Sequence, residues 1–232
     1  RNREINVLEI GVQNGGSLEI WAQYFEKAKT VIGCDVDPNC RSLTFGDTRI
    51  TVVVGDATVD ETEKAILSKA PVYDLIIDDG SHRSSDIIKS FVRYFPHVSD
   101  GGLFVVEDLH CSYWREFEGG LFAPFSAMTF FKRLVDILNY EHWGVIRTRN
   151  EMLQGFAVQY GVSVDETFLS EVHAVDEVLA VDQFVQRLRD DLRVDRARAL
   201  TDLAGAGEDA DAVRGQLERR LRRELRLALA RD

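Results

Sequence analysis

Ile76-Ile77-Asp78-Asp79-Gly80-Ser81-His82 ends an apolar run that starts at Tyr73 and stops at two carboxylates, a glycine and a histidine. A second apolar run, Leu103 to Val106, stops the same way at Glu107-Asp108. Read as neighbouring parallel strands, the two runs bring their carboxyl ends side by side, about 4.8 Å apart. Asp79, Glu107 and Asp108 then converge on one point. Clustered carboxylates repel, so such a cluster holds a cation or shares a proton. The stretch reads as a hard-metal site with Asp79, Glu107 and Asp108 as ligands and His82 beside it as candidate base.

Outward from this stretch, the pattern repeats. Ile5 to Ile10, Thr30 to Cys34 and Ile50 to Val54 read as three further strands, each followed by an acid or a glycine. Leu18, Trp21, Ala22 and Phe25 have helical spacing after the loop Gly11 to Gly16, and Ser17 is placed to cap that helix. Further helices are expected over Glu61–Ala70, Ile87–Phe95, Ala127–Tyr140 and Glu151–Tyr160, and Gly101-Gly102 is expected to introduce the fifth strand. Strands alternating with helices predict an α/β fold, a mostly parallel twisted sheet with right-handed crossovers and helices on both faces. Ligands bind such sheets outside the carboxyl ends of the strands. Glu9 and Gly11, Asp35, Asp56, Asp79 and His82, Glu107 and Asp108 all fall there.

The later chain is less patterned. Glu171 to Val185 reads as a hairpin closing the sheet, with Asp182 interrupting it, and His173 there reads as structural. Ala204 to Ala212 reads as a flexible linker, and Arg214 to Arg231 as an arginine-rich docking helix. The expected division is a first domain over residues 1–188 and a helical C-terminal extension over 189–232.

Composition narrows the classes. A net charge of −11 over 232 residues argues against nonspecific nucleic-acid or anionic-membrane binding. No apolar stretch approaches the roughly 20 residues of a membrane span. Cys34, Cys40 and Cys111 form an odd set without CxxC spacing, as expected of reduced thiols in a cytoplasmic protein. The chain begins at Arg1, as a piece of a longer protein would. A homo-oligomer or a larger multidomain chain is expected.

The first loop selects among cofactors. A dinucleotide fingerprint needs a glycine where Gln13 stands, and a P-loop needs a lysine where Ser17 stands. The loop suits a smaller, positively charged ligand, and S-adenosyl-L-methionine is one. Glu9 orders the loop and faces the ammonium, Asp35 takes the ribose hydroxyls, and Asp56 reaches the adenine edge. Gly11, Gly15, Ser17 and Asp78 complete the set assigned to the cofactor. For Asp78 a second reading stands beside this one: it caps the next helix or bonds backbone amides.

The segments LEIGVQNGGSLEIW and IIDDGSHRSSDIIKSFVRYFPHVSDGGLFVVEDLHCSYW closely resemble metal-dependent sugar O-methyltransferases of the mycinamicin and macrocin type. They also resemble methyltransferase domains attached to bacterial glycosyltransferases, and hydroxylase-like proteins share the same core. The resemblance is strong from Leu8 to Trp114, weaker to about Val185, and stops there. It implies a Rossmann-like class I methyltransferase fold with magnesium at Asp79, Glu107 and Asp108. It implies His82 as general base and Glu9, Gly11 and Asp35 in the cofactor motif.

The chemistry agrees. A divalent metal on two neighbouring hydroxyls lowers their pKa and fixes their orientation. Magnesium suits an all-oxygen site, and manganese fits it too. His82 and Asp79 are the catalytic pair, and His110 and Trp114 are candidates for the wall of a sugar-containing substrate's pocket. The expected function is O-methylation of a sugar hydroxyl. The alternatives are a non-catalytic scaffold domain of a glycan-assembly protein and an oxidoreductase on the same core.

Overall fold

Five runs rich in Val and Ile pair into one parallel sheet in the order β3-β2-β1-β4-β5. They are β1 (Asn6–Ile10), β2 (Thr30–Asp35), β3 (Ile50–Val54), β4 (Tyr73–Asp78) and β5 (Val98–Val106). Among the described residues five α-helices accompany them: α1 (Gly16–Tyr24), α2 (Asp60–Leu67), α3 (Ser84–Tyr94), α4 (Ala127–Leu138) and α5 (Arg149–Tyr160). The computed structural model describes residues 4–165 together with Thr167, Phe168 and Val172. The expected hairpin over Glu171–Val185, His173, the linker near 204–212 and the arginine-rich helix lie outside the described residues, Val172 excepted.

Chain order reverses between β1 and β4, so this pair forms the switch point of the sheet. Alternation along the strands decides which helix each face receives. Leu8, Ile10, Ile32, Cys34 and Ile76 are buried with Ile66 of α2 and Tyr94 of α3. On the opposite face, Gly33 of β2 sits so close to α1 that a Cβ there would lie 2.6 Å from Leu18. Glu9 belongs to this α1 face. A further core joins Ile87, Ile88 and Phe91 of α3 to Phe130, Phe131 and Leu134 of α4 and Phe156 of α5. Burying a large side chain of this kind stabilises by about 1.5–3 kcal/mol.

Three expectations are corrected. Ser17 does not cap α1. The N-cap is Gly15, in the left-handed region at φ +78 with no side-chain bond, so Ser17 falls inside the helix. Gly101-Gly102 do not precede β5 but lie within it. Tyr73 pairs with Val98 and Leu75 with Leu103, so extra residues on β5 form a bulge, and Gly101 takes φ +70 to absorb them. Helix α3 begins three residues earlier than expected, at Ser84, because Ser84 and Ser90 are buried with its apolar residues and periodicity counts only the latter. At the other end, α5 carries a capping box, in which Thr148 accepts from the Glu151 amide and Glu151 from the Thr148 amide. No helix among the described residues is long and apolar enough to cross a membrane.

Candidate functional site

The loop after β1 is drawn tightly over the end of β4. Gly11 takes φ +95 and donates from its amide to the Cys34 carbonyl at 2.8 Å. A Cβ on Gly11 would stand 2.1 Å from the Asp79 carbonyl oxygen. Only glycine fits a backbone passing that close. Gly15 is covered by Phe45, whose ring a Cβ would meet at 2.6 Å. Sequence reading offered no signal for Phe45.

The acids of this first rim are tied to the protein. Glu9 is fully buried, and its Oε2 accepts from the Trp21 indole N–H at 2.8 Å. Asp35 Oδ2 accepts from the amides of Val12 at 2.7 Å and Gln13 at 2.9 Å, and Oδ1 accepts from Asp37 at 2.9 Å. Partial burial alone would raise the Asp35 pKa, but the amides of Asp37, Gln13 and Val12 and the Cys40 thiol hold it below the ordinary value. Asp56 Oδ1 accepts from the amide and hydroxyl of Thr58, each at 2.8 Å. Trp21 read as a core position; its role as donor to Glu9 is visible only in three dimensions. Burial, with the charges of Asp35, Asp56 and Asp78, pushes the Cys34 thiol up to about 12, so it stays an inert, protonated core residue.

The second rim lies at the ends of β4 and β5. The Asp79 amide donates to the Ile10 carbonyl and the Glu107 amide to the Asp78 carbonyl, both at 2.8 Å. The pairing thus runs one residue past each strand. Asp79, His82 and Asp108 each present a ligand atom, all within 4.8 Å of one another. His82 Nε2 stands 3.8 Å from Asp108 Oδ2, and His110 Nδ1 stands 3.9 Å from Asp108 Oδ1. Glu107 is outside that trio and is buried, 1% exposed. His82 at φ +57 and Asp108 at φ +52 both occupy the left-handed region, which costs a side-chain-bearing residue of order 1–3 kcal/mol. Such strain concentrates at functional sites.

Asp78 goes the other way. Strand alternation turns it toward the face of Ile76 and Ile10, and it is 4% exposed. Burial pushes its carboxyl up to about 7. Its Oδ1 accepts from the Gly80 amide at 3.3 Å, and α3 is capped at Arg83, so Asp78 caps no helix. Trp114 is 47% exposed and stacks edge-on against the half-exposed His110, at 5.1 Å between centroids. Ser17 is half-buried inside α1.

The donor set suits a hard cation. Asp79 and Asp108 offer half-exposed carboxylates from different strand ends, and magnesium is held by one or two carboxylates while keeping several waters. The Gly11–Gly16 loop suits a small cationic ligand, since the Glu9 and Asp35 carboxylates flank it and it carries no lysine or arginine for phosphates.

A parallel sheet with this strand order and switch point is Rossmann-like. Residues 8–109 match the family model described as a methyltransferase domain. The chain is 35% identical over 62% of its length to an 8-demethyl-8-α-L-rhamnosyl tetracenomycin-C 2'-O-methyltransferase of Streptomyces olivaceus, covering 39% of that protein. It is 36% identical over 61% of its length to a demethylmacrocin O-methyltransferase of Streptomyces fradiae, covering 37% of it. Among solved structures it resembles the MycE methyltransferase of the mycinamycin biosynthetic pathway in complex with Mg and SAH. There the TM-score is 0.56 at 30% identity, over 66% of this chain and 41% of that one. The chain therefore spans about two fifths of the length of these relatives.

Proposed function

We propose that the protein is an S-adenosylmethionine-dependent, divalent-metal-assisted O-methyltransferase acting on a sugar hydroxyl of a glycan or glycosylated natural product. The observation that carries this reading is the meeting of Asp79, His82 and Asp108 at the ends of β4 and β5, next to the switch point and the Gly11 loop. The named relatives add weight, being sugar O-methyltransferases, one of them crystallised with Mg, SAH and mycinamycin VI.

On this reading Asp79, Asp108 and the adjacent Glu107 hold magnesium, with manganese as a substitute. The metal supplies Lewis acidity that lowers the pKa of the acceptor hydroxyl. Glu9, Asp35, Asp56 and the Gly11–Ser17 loop seat the cofactor, and Asp78 braces the turn after β4 through the Gly80 amide. His82 takes the hydroxyl proton at Nε2. Asp108, beside that nitrogen, stabilises the imidazolium that forms. His110 and Trp114 flank the acceptor, where an indole face suits a sugar ring. The three cysteines, all buried and none in a disulfide, fit a cytoplasmic setting.

An iron-dependent oxidoreductase suits the site less well, because the cluster contains a single histidine where such a centre uses two with one carboxylate. The deciding experiment is calorimetric titration of S-adenosylmethionine with and without magnesium, followed by a turnover screen over glycosylated acceptors. Micromolar binding and magnesium-dependent methyl transfer are expected. Absence of cofactor binding would leave a scaffold domain instead.

A further inference from the structure

We propose that Glu118 is a positioning residue for this site, clamping the segment after β5 onto the start of α3 and so holding His82 in place. The inference rests on the function proposed above, because it assigns His82 a part in catalysis.

The segment from Leu109 to Gly120 is folded on itself. The Gly119 amide donates to the Trp114 carbonyl at 2.9 Å, and the Gly120 amide to the Ser112 carbonyl at 3.0 Å. A Cβ on Gly119 would lie 2.2 Å from the Ser112 carbonyl oxygen, so the segment closes with no room to spare. Its backbone is therefore tied to itself, and what fixes its place bears on Trp114 and Phe117 together.

Glu118 fixes it. Its Oε2 accepts from the Ser85 amide at 3.0 Å, and its Oε1 pairs with Arg83 Nη2 at 2.5 Å. Helix α3 has no side-chain cap of its own at Arg83. A carboxylate from 33 residues away therefore accepts from the Ser85 amide in its first turn, where the helix dipole favours negative charge. The Ser85 hydroxyl and amide and the Arg83 guanidinium, against opposing burial, hold the Glu118 carboxyl at about 2. Glu118 itself takes φ +60, a left-handed conformation that turns its side chain back from the loop.

The clamp brackets the candidate base. Arg83 follows His82 directly in the chain and Ser85 lies two residues further on, and Phe117 precedes Glu118. The rings of His82 and Phe117 meet edge-on, 6.3 Å between centroids. On its other side His82 faces Asp108. Two tethers thus bound the imidazole, and the Phe117 side depends on the ion pair next to it.

The test compares wild type with Glu118→Ala, Glu118→Gln and Arg83→Ala. The imidazole Cε1–H resonance of His82, assigned with His82→Ala, reports the ring's place against Phe117. It is expected to shift and broaden in Glu118→Ala and to recover part-way in Glu118→Gln, which keeps an acceptor for Ser85. Turnover number should fall about ten- to a hundredfold in Glu118→Ala, as for misplaced catalytic groups, while S-adenosylmethionine affinity stays within twofold. An unmoved His82 resonance in folded Glu118→Ala overturns the proposal, as does a moved resonance with unchanged turnover. If Glu118→Ala does not fold, Arg83→Ala carries the same readouts. If wild type transfers no methyl group to any acceptor, the proposed function fails, and the resonance alone decides whether the clamp holds His82.

Discussion

The two halves of the carboxyl rim use the same residue type in opposite ways. At the ends of β1 to β3, the acids are consumed in building the loops: Glu9 takes the Trp21 indole, Asp35 three backbone amides, and Asp56 the Thr58 amide and hydroxyl. At the ends of β4 and β5, Asp79 and Asp108 turn toward one another and toward His82. An acid at a strand end is thus not itself a binding group. What differs between the halves is the company the fold brings to each acid: an indole and backbone amides in the first, a second carboxylate and an imidazole in the second.

Substitutions should break the two halves differently. The largest effect is expected at the second rim: Asp79→Ala should lower turnover by about 10³-fold, several kcal/mol of lost metal stabilisation, with cofactor affinity little changed. Loss of cofactor affinity there would erase the contrast. His82→Ala should cost about 10²–10⁴ in turnover while the unfolding temperature holds, as for loss of a general base. At the first rim, Asp35→Ala removes charge-assisted hydrogen bonds from the Gly11 loop, each contributing about 1.5–3 kcal/mol. Calorimetry should show S-adenosylmethionine bound about 10–100-fold more weakly, and limited proteolysis should cut near Gln13.

Trp21→Phe keeps the ring in the core but takes the indole donor from buried Glu9. Urea unfolding should show a loss of about 1–3 kcal/mol. The smallest effect is one of pH. Glu118 titrates near 2 in the folded protein against an ordinary 4.5, so its contacts are fully stabilising above about 4.5 and fade as pH falls toward 2. The stability gap between wild type and Glu118→Gln should therefore be present at pH 6 and narrow steadily from pH 4.5 down to 3.

Much of this was legible beforehand, for definite reasons. Buried parallel strands must be apolar throughout, so β1 to β4 stand out as Val- and Ile-rich runs and their ends as abrupt acids. The bulge in β5 was not legible, because Gly101-Gly102 looks the same before a strand as inside one. The cap of α1 was misplaced because Ser17 is a good capping residue by type, whereas Gly15 caps through a left-handed backbone beneath Phe45. Asp78 and Asp79 are adjacent and identical, and pleating alone sends one into the α3 core and the other to the rim.

Residue pattern and chemistry determine the parallel sheet, the positions of its strand ends and the supply of Glu9, Asp35, Asp79, His82 and Asp108 there. These follow from local rules: strand period, helix period and the place of acids after apolar runs. Only tertiary structure decides which acids meet. Glu118 shows why. Its partners Arg83 and Ser85 lie more than thirty residues away, and no spacing along the chain encodes a contact between the start of α3 and the segment after β5.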